Sequence, residues 1–276
     1  MKNKFSYVIA LLLVHSILIY GWGDKGHKTI TLFAMKLIPQ QMYLSENMKL
    51  AIIEHSVDPD NRKRDDRSEG PKHFIDIDYY KEYMDGKIIT SLDTLKKLYG
   101  EKVVVKEGIL PWATENSFFK LIGAFKSGNK DEIILYASDL AHYVEDGHQP
   151  LHATVNYNGQ LTDQKGIHSR YEIDMVDDSL NAIKNGFLLQ NPFYVKDLSG
   201  YIFDYIMESN SCVEMLLSAD KYSSGKTDGK FNKEYYRLLW LRTKYITINE
   251  FNSGALSLSS LIYSAWVDAG KPKIPD

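Results

Sequence analysis

Cysteine is nearly absent. Cys212 stands alone in 276 residues, which excludes an internal disulfide and any zinc site built from several thiolates. A lone cysteine of this kind is expected to act as a small apolar residue on a helix. An excess of either charge is missing too. With 33 lysines and arginines against 36 aspartates and glutamates, the formal net charge is −3, so no basic field draws nucleic acid from a distance. The apolar run Phe5 to Tyr20 is shorter than the roughly 20 residues that a bilayer-spanning helix needs. No strand-like alternation recurs, no repeat is found, and no serine–histidine–aspartate motif offers a nucleophile. No histidine follows His168, so the C-terminal helices are expected to be scaffold.

What is present begins with Lys2 and Lys4 ahead of that apolar run, the pattern of a secretory signal peptide cleaved after the small Gly21. A retained membrane anchor is the alternative. Cleavage leaves Trp22 as the mature N-terminus and 31 basic against 36 acidic residues, a net charge of −5. Residues 22–276 are long and apolar enough for one domain with one sizeable core. The chain is expected to be secreted or periplasmic, with no membrane span after signal removal and no protein partner implied.

Helix-period apolar positions place helices around Ile30 to Leu37, stopped by Pro39, and around Glu46 to Glu54. Others are expected over Leu110–Phe125, Lys130–Gln149, His168–Lys184, Pro192–Leu217, Asn232–Glu250 and Leu256–Ala269. The fold class is therefore all-α. A polar, proline-interrupted loop follows His55. The loop Ala153–Ile167 is long enough to suggest function over connection, and Lys221–Lys230 reads as a flexible surface loop.

Within this frame, LAHYVEDGHQPLH sets His142 and Asp146 four residues apart on one helix face, with His152 just past Pro150. His168 and Glu172 repeat the spacing in HSRYE. Two such pairs bracketing His152 are more than chance neighbours and point to a metal. With no cysteine cluster, imidazoles and carboxylates are the donors, which suits zinc. Earlier candidates are Trp22 with His27, then Asp60 with His73. His148 lies six residues from His142, roughly 240° round the helix, and is expected to be structural, as is His55 at a helix end. Asp139 shares a face with His142 and either orients that imidazole or lies exposed.

The set WGDKGH, DPD, KHFIDID, LAHYVEDGHQPLH and GIHSRYE resembles the zinc-dependent phospholipase C family and its relatives, the secreted tri-zinc single-strand-specific nucleases. The resemblance runs from Trp22 to about Met175, in the same order and with compatible spacings. It implies a multi-helix domain with long polar loops around a trinuclear cleft holding three zinc ions. One would be held by the free amine and carbonyl of Trp22 with His27, the next by Asp60, His73, His142 and Asp146, with Asp146 bridging the two. His152, His168 and Glu172 would hold the third. In VDPD either Asp58 or Asp60 fits the family's aspartate; Asp60 is chosen because Arg62 follows closely.

The resemblance further implies hydrolysis of a phosphodiester by a metal-activated water, with Asp60 orienting or deprotonating it. Phe74, Asn156, Asn158 and Arg62 are candidates for contact with substrate. An ordinary core position for Phe74, an Asn-Gly turn at Asn158 and a solvated charge run around Arg62 are the plainer readings. GIHSRYE, DPD and the absence of disulfides look more like the phospholipases, whose action on phospholipid headgroups is the leading expectation. A single-strand-specific nuclease giving 5'-phosphorylated products is the alternative. A non-catalytic binding protein stabilised by metal is the third reading.

Overall fold

Two helices joined by a tight link, Leu110–Ser127 and Lys130–Gly147, form the hairpin on which the central candidate ligands sit. Gly128, left-handed at φ 68°, ends the first. Asn129 caps the second, its Oδ1 accepting from the amides of Asp131 at 3.1 Å and Glu132 at 3.3 Å. The pairing satisfies backbone groups that helix ends leave open.

The computed structural model describes residues 22–275; the expected signal segment, residues 1–21 with its cleavage after Gly21, lies outside the described residues. Among the described residues every regular element is helical, as an all-α chain requires. The long helix Lys233–Asp268 packs on the hairpin and on the first helix, Gly23–Leu37. Phe33, Leu140, Phe251, Leu258 and Leu261 meet in the main core, each such side chain contributing about 1.5–3 kcal/mol. A smaller core of Ile75, Tyr80, Tyr83, Val104 and Phe203 supports the segment that follows His73. Gly108 is needed there. With φ 94°, a Cβ at Gly108 would lie 2.1 Å from the Phe74 carbonyl oxygen, and the close approach lets the Leu110 amide bond that oxygen at 3.2 Å.

Several expected boundaries move. The helix foreseen over Pro192–Leu217 starts only at Leu198 and is interrupted at Cys212, giving Leu198–Ser211 and Val213–Lys226. Ahead of it the chain runs extended along the long helix, donating from the amides of Phe193 and Val195 to Ser260 and Ser264. Cys212 therefore sits at a helix junction, half-buried. Lys221–Lys230 is not a loop as a whole, because helix Val213–Lys226 runs through its first part. Asp220 and Ser223 on that helix are buried. The break expected between Glu250 and Leu256 does not occur. Gly254 serves close packing instead: a Cβ there would lie 3.2 Å from Ile30 and 3.6 Å from His148.

The polar stretch after His55 contains the short helix Asp58–Arg62 and the 3-10 turn Gly70–His73. The helix foreseen over His168–Lys184 opens with Ile167–Ser169, passes through a π turn at Arg170–Met175, then continues as Val176–Asn185. Among the described residues no helix is long and apolar enough to cross a membrane.

Candidate metal centre

The hairpin helix Lys130–Gly147 contributes His142 and Asp146 one turn apart, both fully buried. The first helix brings His27, the short helix Asp58–Arg62 brings Asp60, and the turn Gly70–His73 brings His73. His152 ends the 3-10 turn Pro150–His152. His168 and Glu172 come from the Ile167–Ser169 turn and the π turn behind it, an irregularity frequent at functional sites. All eight side chains are buried.

Asp146 stands at the centre. Its Oδ2 lies 3.0 Å from His73 Nδ1 and 3.2 Å from His142 Nε2, while Oδ1 lies 3.2 Å from His152 Nδ1 and 3.7 Å from His27 Nε2. Three sets of donor atoms lie within 4.8 Å of one another: His27, Asp60 and His142; His73, His142 and Asp146; His152, His168 and Glu172. In the last set Glu172 Oε2 is 2.9 Å from His168 Nε2 and 3.6 Å from His152 Nε2. The partition differs in one respect from the resemblance, which grouped Asp60 with His73: the structure also gathers Asp60 with His27, and His142 belongs to both sets.

The imidazoles are fixed from behind. His142 donates from Nδ1 to the Ser56 carbonyl at 2.8 Å, His152 to the His73 carbonyl at 2.7 Å, and His168 to the Tyr157 carbonyl at 3.0 Å. Each bond leaves the Nε2 lone pair facing the cluster, the arrangement by which ligand histidines are oriented. His27 Nδ1 meets Glu145 Oε2 at 2.7 Å. His27 Nε2 and Asp60 Oδ2 are buried with no hydrogen-bond partner, a cost that a bound cation would remove. Asp60 Oδ1 faces Lys63 Nζ at 2.5 Å. Nitrogen and oxygen donors without sulfur fit zinc and similar divalent cations.

Electrostatics point the same way. Burial, with His142 adding to it, pushes His27 down to about 3. Burial also opposes charge on His152 and His142, but carboxylates outweigh it. Asp146 and Glu172 raise His152 to about 10, and Asp146 and Asp60 hold His142 well above its usual value. Asp146 and Asp60 are in turn held well below the carboxylate range against their burial, chiefly by His142. Burial keeps Glu145 well above that range. Without a cation the cluster thus balances its carboxylates with imidazole protons, which a metal would displace.

A cavity of about 450 Å³ opens beside the His152 and His168 set, with Phe74, Asp76, Tyr79 and Glu107 in its wall. Of the residues foreseen for substrate contact, Phe74 lies there. Arg62 does not. Its guanidinium bonds Asp139 at 2.8 Å and faces a different cavity, beyond Tyr143. Asp139 is thereby engaged by Arg62, and His142 takes the Ser56 carbonyl instead. Asn156 and Asn158 hold the loop to itself: Asn156 bonds Thr162 Oγ1 at 3.1 Å and the Leu161 amide at 2.8 Å, and Asn158 accepts from the Gly166 amide at 2.9 Å. Asp58 is outside the cluster, paired with His55 at 2.8 Å. His148 faces Glu250 at 3.2 Å and Ser257 at 3.0 Å and stacks on Tyr205. Trp22 is buried, its indole donating to the Glu145 carbonyl at 2.9 Å and packing edge-on against Phe251.

Sequence reasoning passed over Glu145, Gln149 and the pair Asp76 and Glu107. Gln149 donates to Glu172 Oε2 at 2.8 Å. The signal was available for two of them, since Glu145 and Gln149 lie three and seven positions from His142, on a neighbouring helix face. Asp76 and Glu107 are joined only by the fold, the Asp76 amide bonding the Glu107 carbonyl at 2.7 Å. Burial pushes the Asp76 carboxyl up to about 8, and Glu107 beside it adds to the effect. No protein-family model matches this chain, and no curated protein matches it.

Proposed function

We propose that the protein is a secreted, zinc-dependent phosphodiester hydrolase holding three zinc ions. Trp22 and His27 hold the first and share Asp146 with the second. Asp60, His73 and His142 complete the second set, and His152, His168 and Glu172 form the third. The supporting observation is the convergence of three buried donor sets on one carboxylate, Asp146, beside a cavity. Bound there, zinc supplies a Lewis acid for phosphoryl oxygens and a water acidified from about 15.7 toward about 7.

The chain's own residues supply the rest. Asp60, held through Oδ1 by Lys63, has Oδ2 open to orient the attacking water and take its proton. Phe74 offers a flat apolar wall. Asp76, protonated at neutral pH, donates a hydrogen bond while its neighbour Glu107 accepts one. A donor beside an acceptor, next to an aromatic ring, matches the edge and face of a nucleobase. That wall favours the single-strand-specific nuclease reading. The phospholipid reading is favoured by a different feature, the exposed Leu161 and Tyr79 at the cavity, which suit acyl chains.

The deciding experiment gives zinc-loaded mature protein single-stranded DNA, single-stranded RNA and phosphatidylcholine vesicles under one buffer. Release of 5'-phosphorylated nucleotides without phosphorylated headgroup supports the nuclease. The reverse supports the lipase, and zinc binding with no turnover of any phosphodiester rejects catalysis and leaves a metal-stabilised binding protein.

A further inference from the structure

Glu145 is an acid with no cationic side chain bonded to it, fully buried between the first helix and the hairpin. Such a group is costly unless its position does something for the molecule. Its Oε2 contacts His27 Nδ1 at 2.7 Å, its Oε1 accepts from Thr31 Oγ1 at 2.6 Å, and its carbonyl accepts from the Trp22 indole at 2.9 Å. Glu145 thus holds both residues assigned to the first zinc, one with its side chain and one with its backbone. We infer that Glu145 is the positioning residue of that metal set, fixing His27 so that Nε2 is free to coordinate; the inference rests on the metal-centre reading above.

The geometry separates this role from simple bridging of two helices. Thr31 alone would bridge them. The contact to His27 falls on Nδ1, leaving Nε2 buried, partnerless and 3.7 Å from Asp146 Oδ1. Coordination through Nε2 requires the ring hydrogen on Nδ1, and Glu145 Oε2 is the acceptor in place for it. The ring is stacked on His142 at 4.1 Å between centroids, so its remaining freedom is rotation in its own plane, which the Glu145 contact stops. The neighbouring sets use backbone carbonyls for this purpose; only His27 uses a carboxylate, which makes its orientation mutable by a side-chain change.

Glu145→Gln tests the role, because the amide keeps the shape and can still accept from Nδ1–H while the Thr31 hydroxyl turns to accept from the amide nitrogen. Zinc titration of the full mature chain against a chromogenic chelator resolves the binding steps. The expected result is a single step weakened about 10–100-fold, the other two unchanged, and an unchanged melting temperature of the metal-free protein. Three steps as in the parent overturn the inference, as does equal weakening of all three with a lower metal-free melting temperature, which marks a packing role. Should Glu145→Gln fail to fold, Thr31→Val removes the brace on Oε1; unchanged affinity at every step then overturns it equally. A parent protein that binds no zinc rejects the metal centre itself, whereas a parent with three zincs and an unaffected variant rejects only the role of Glu145.

Discussion

Asp146 Oδ2 lies 3.0 Å from His73 Nδ1, so a carboxylate on the hairpin helix is locked to an imidazole from a separate turn. Its other oxygen faces His27 and His152. One side chain therefore touches four of the five cluster histidines, with His142 the fourth. Removing it unbalances every set at once.

The two histidines of the same segment separate by role. His142→Ala is expected to cost metal and activity together. His148→Ala leaves Glu250 and Ser257 without a partner, so it should lower stability by about 1–3 kcal/mol while keeping the metal. Elemental analysis alongside thermal melting reads both, and equal metal loss in the two variants contradicts the assignment.

Metal-free protein should lose stability with rising pH. His152 is held at about 10 when folded, against about 6.5 unfolded, so the folded state binds its proton more tightly. The stabilisation is full below about 6.5 and is lost as pH rises through about 10. On the acid side, His27, held near 3, must stay neutral, and its contribution is lost as pH falls from about 6.5. The melting temperature should decline from pH 6.5 to 10 without metal and level out once zinc is added. A flat metal-free profile over that window counts against the ion pairs around Asp146.

Asp76 gives a second pH signature. Its proton, retained up to about 8, is the donor offered to substrate, so KM should rise about tenfold above that pH, the worth of about 1.4 kcal/mol of hydrogen bond. Asp76→Asn keeps a donor at every pH and should flatten the limb without changing kcat. An unchanged alkaline limb in the variant assigns the effect elsewhere.

The polar loop should behave as a brace for a ligand. Asn158→Ala removes the bond to the Gly166 amide, at the start of the turn bearing His168. The expected cost is about 1–3 kcal/mol, with faster hydrogen exchange across residues 153–166 and weaker metal binding at the His152, His168 and Glu172 set. A higher KM with unaltered exchange would instead make Asn158 a substrate contact.

Periodicity made the helical class legible, and i,i+4 spacing made His142 with Asp146 and His168 with Glu172 stand out, because both signals are local. Where the expectations shifted, the cause lay across the fold. Gly254 looks like a breaker, yet it lets the long helix approach Ile30 and His148. Arg62 looks like an anion ligand until Asp139, far away in sequence, is placed against it. Asn156 and Asn158 read as exposed amides, but the loop turns back and uses them internally. Glu145 and Asp76 were hidden because their meaning depends on burial, which no spacing conveys.

The π turn at Arg170–Met175 carries a consequence for how the chain tolerates change. It holds one residue more than an α-helical turn would, and the helix Val176–Asn185 beyond it inherits that offset, with Val176 and Ile183 facing inward. Deleting one residue there restores ordinary winding and turns the following helix by about 100°, carrying Ile183 off the core. A segment so phased accepts substitution far more readily than a change of length.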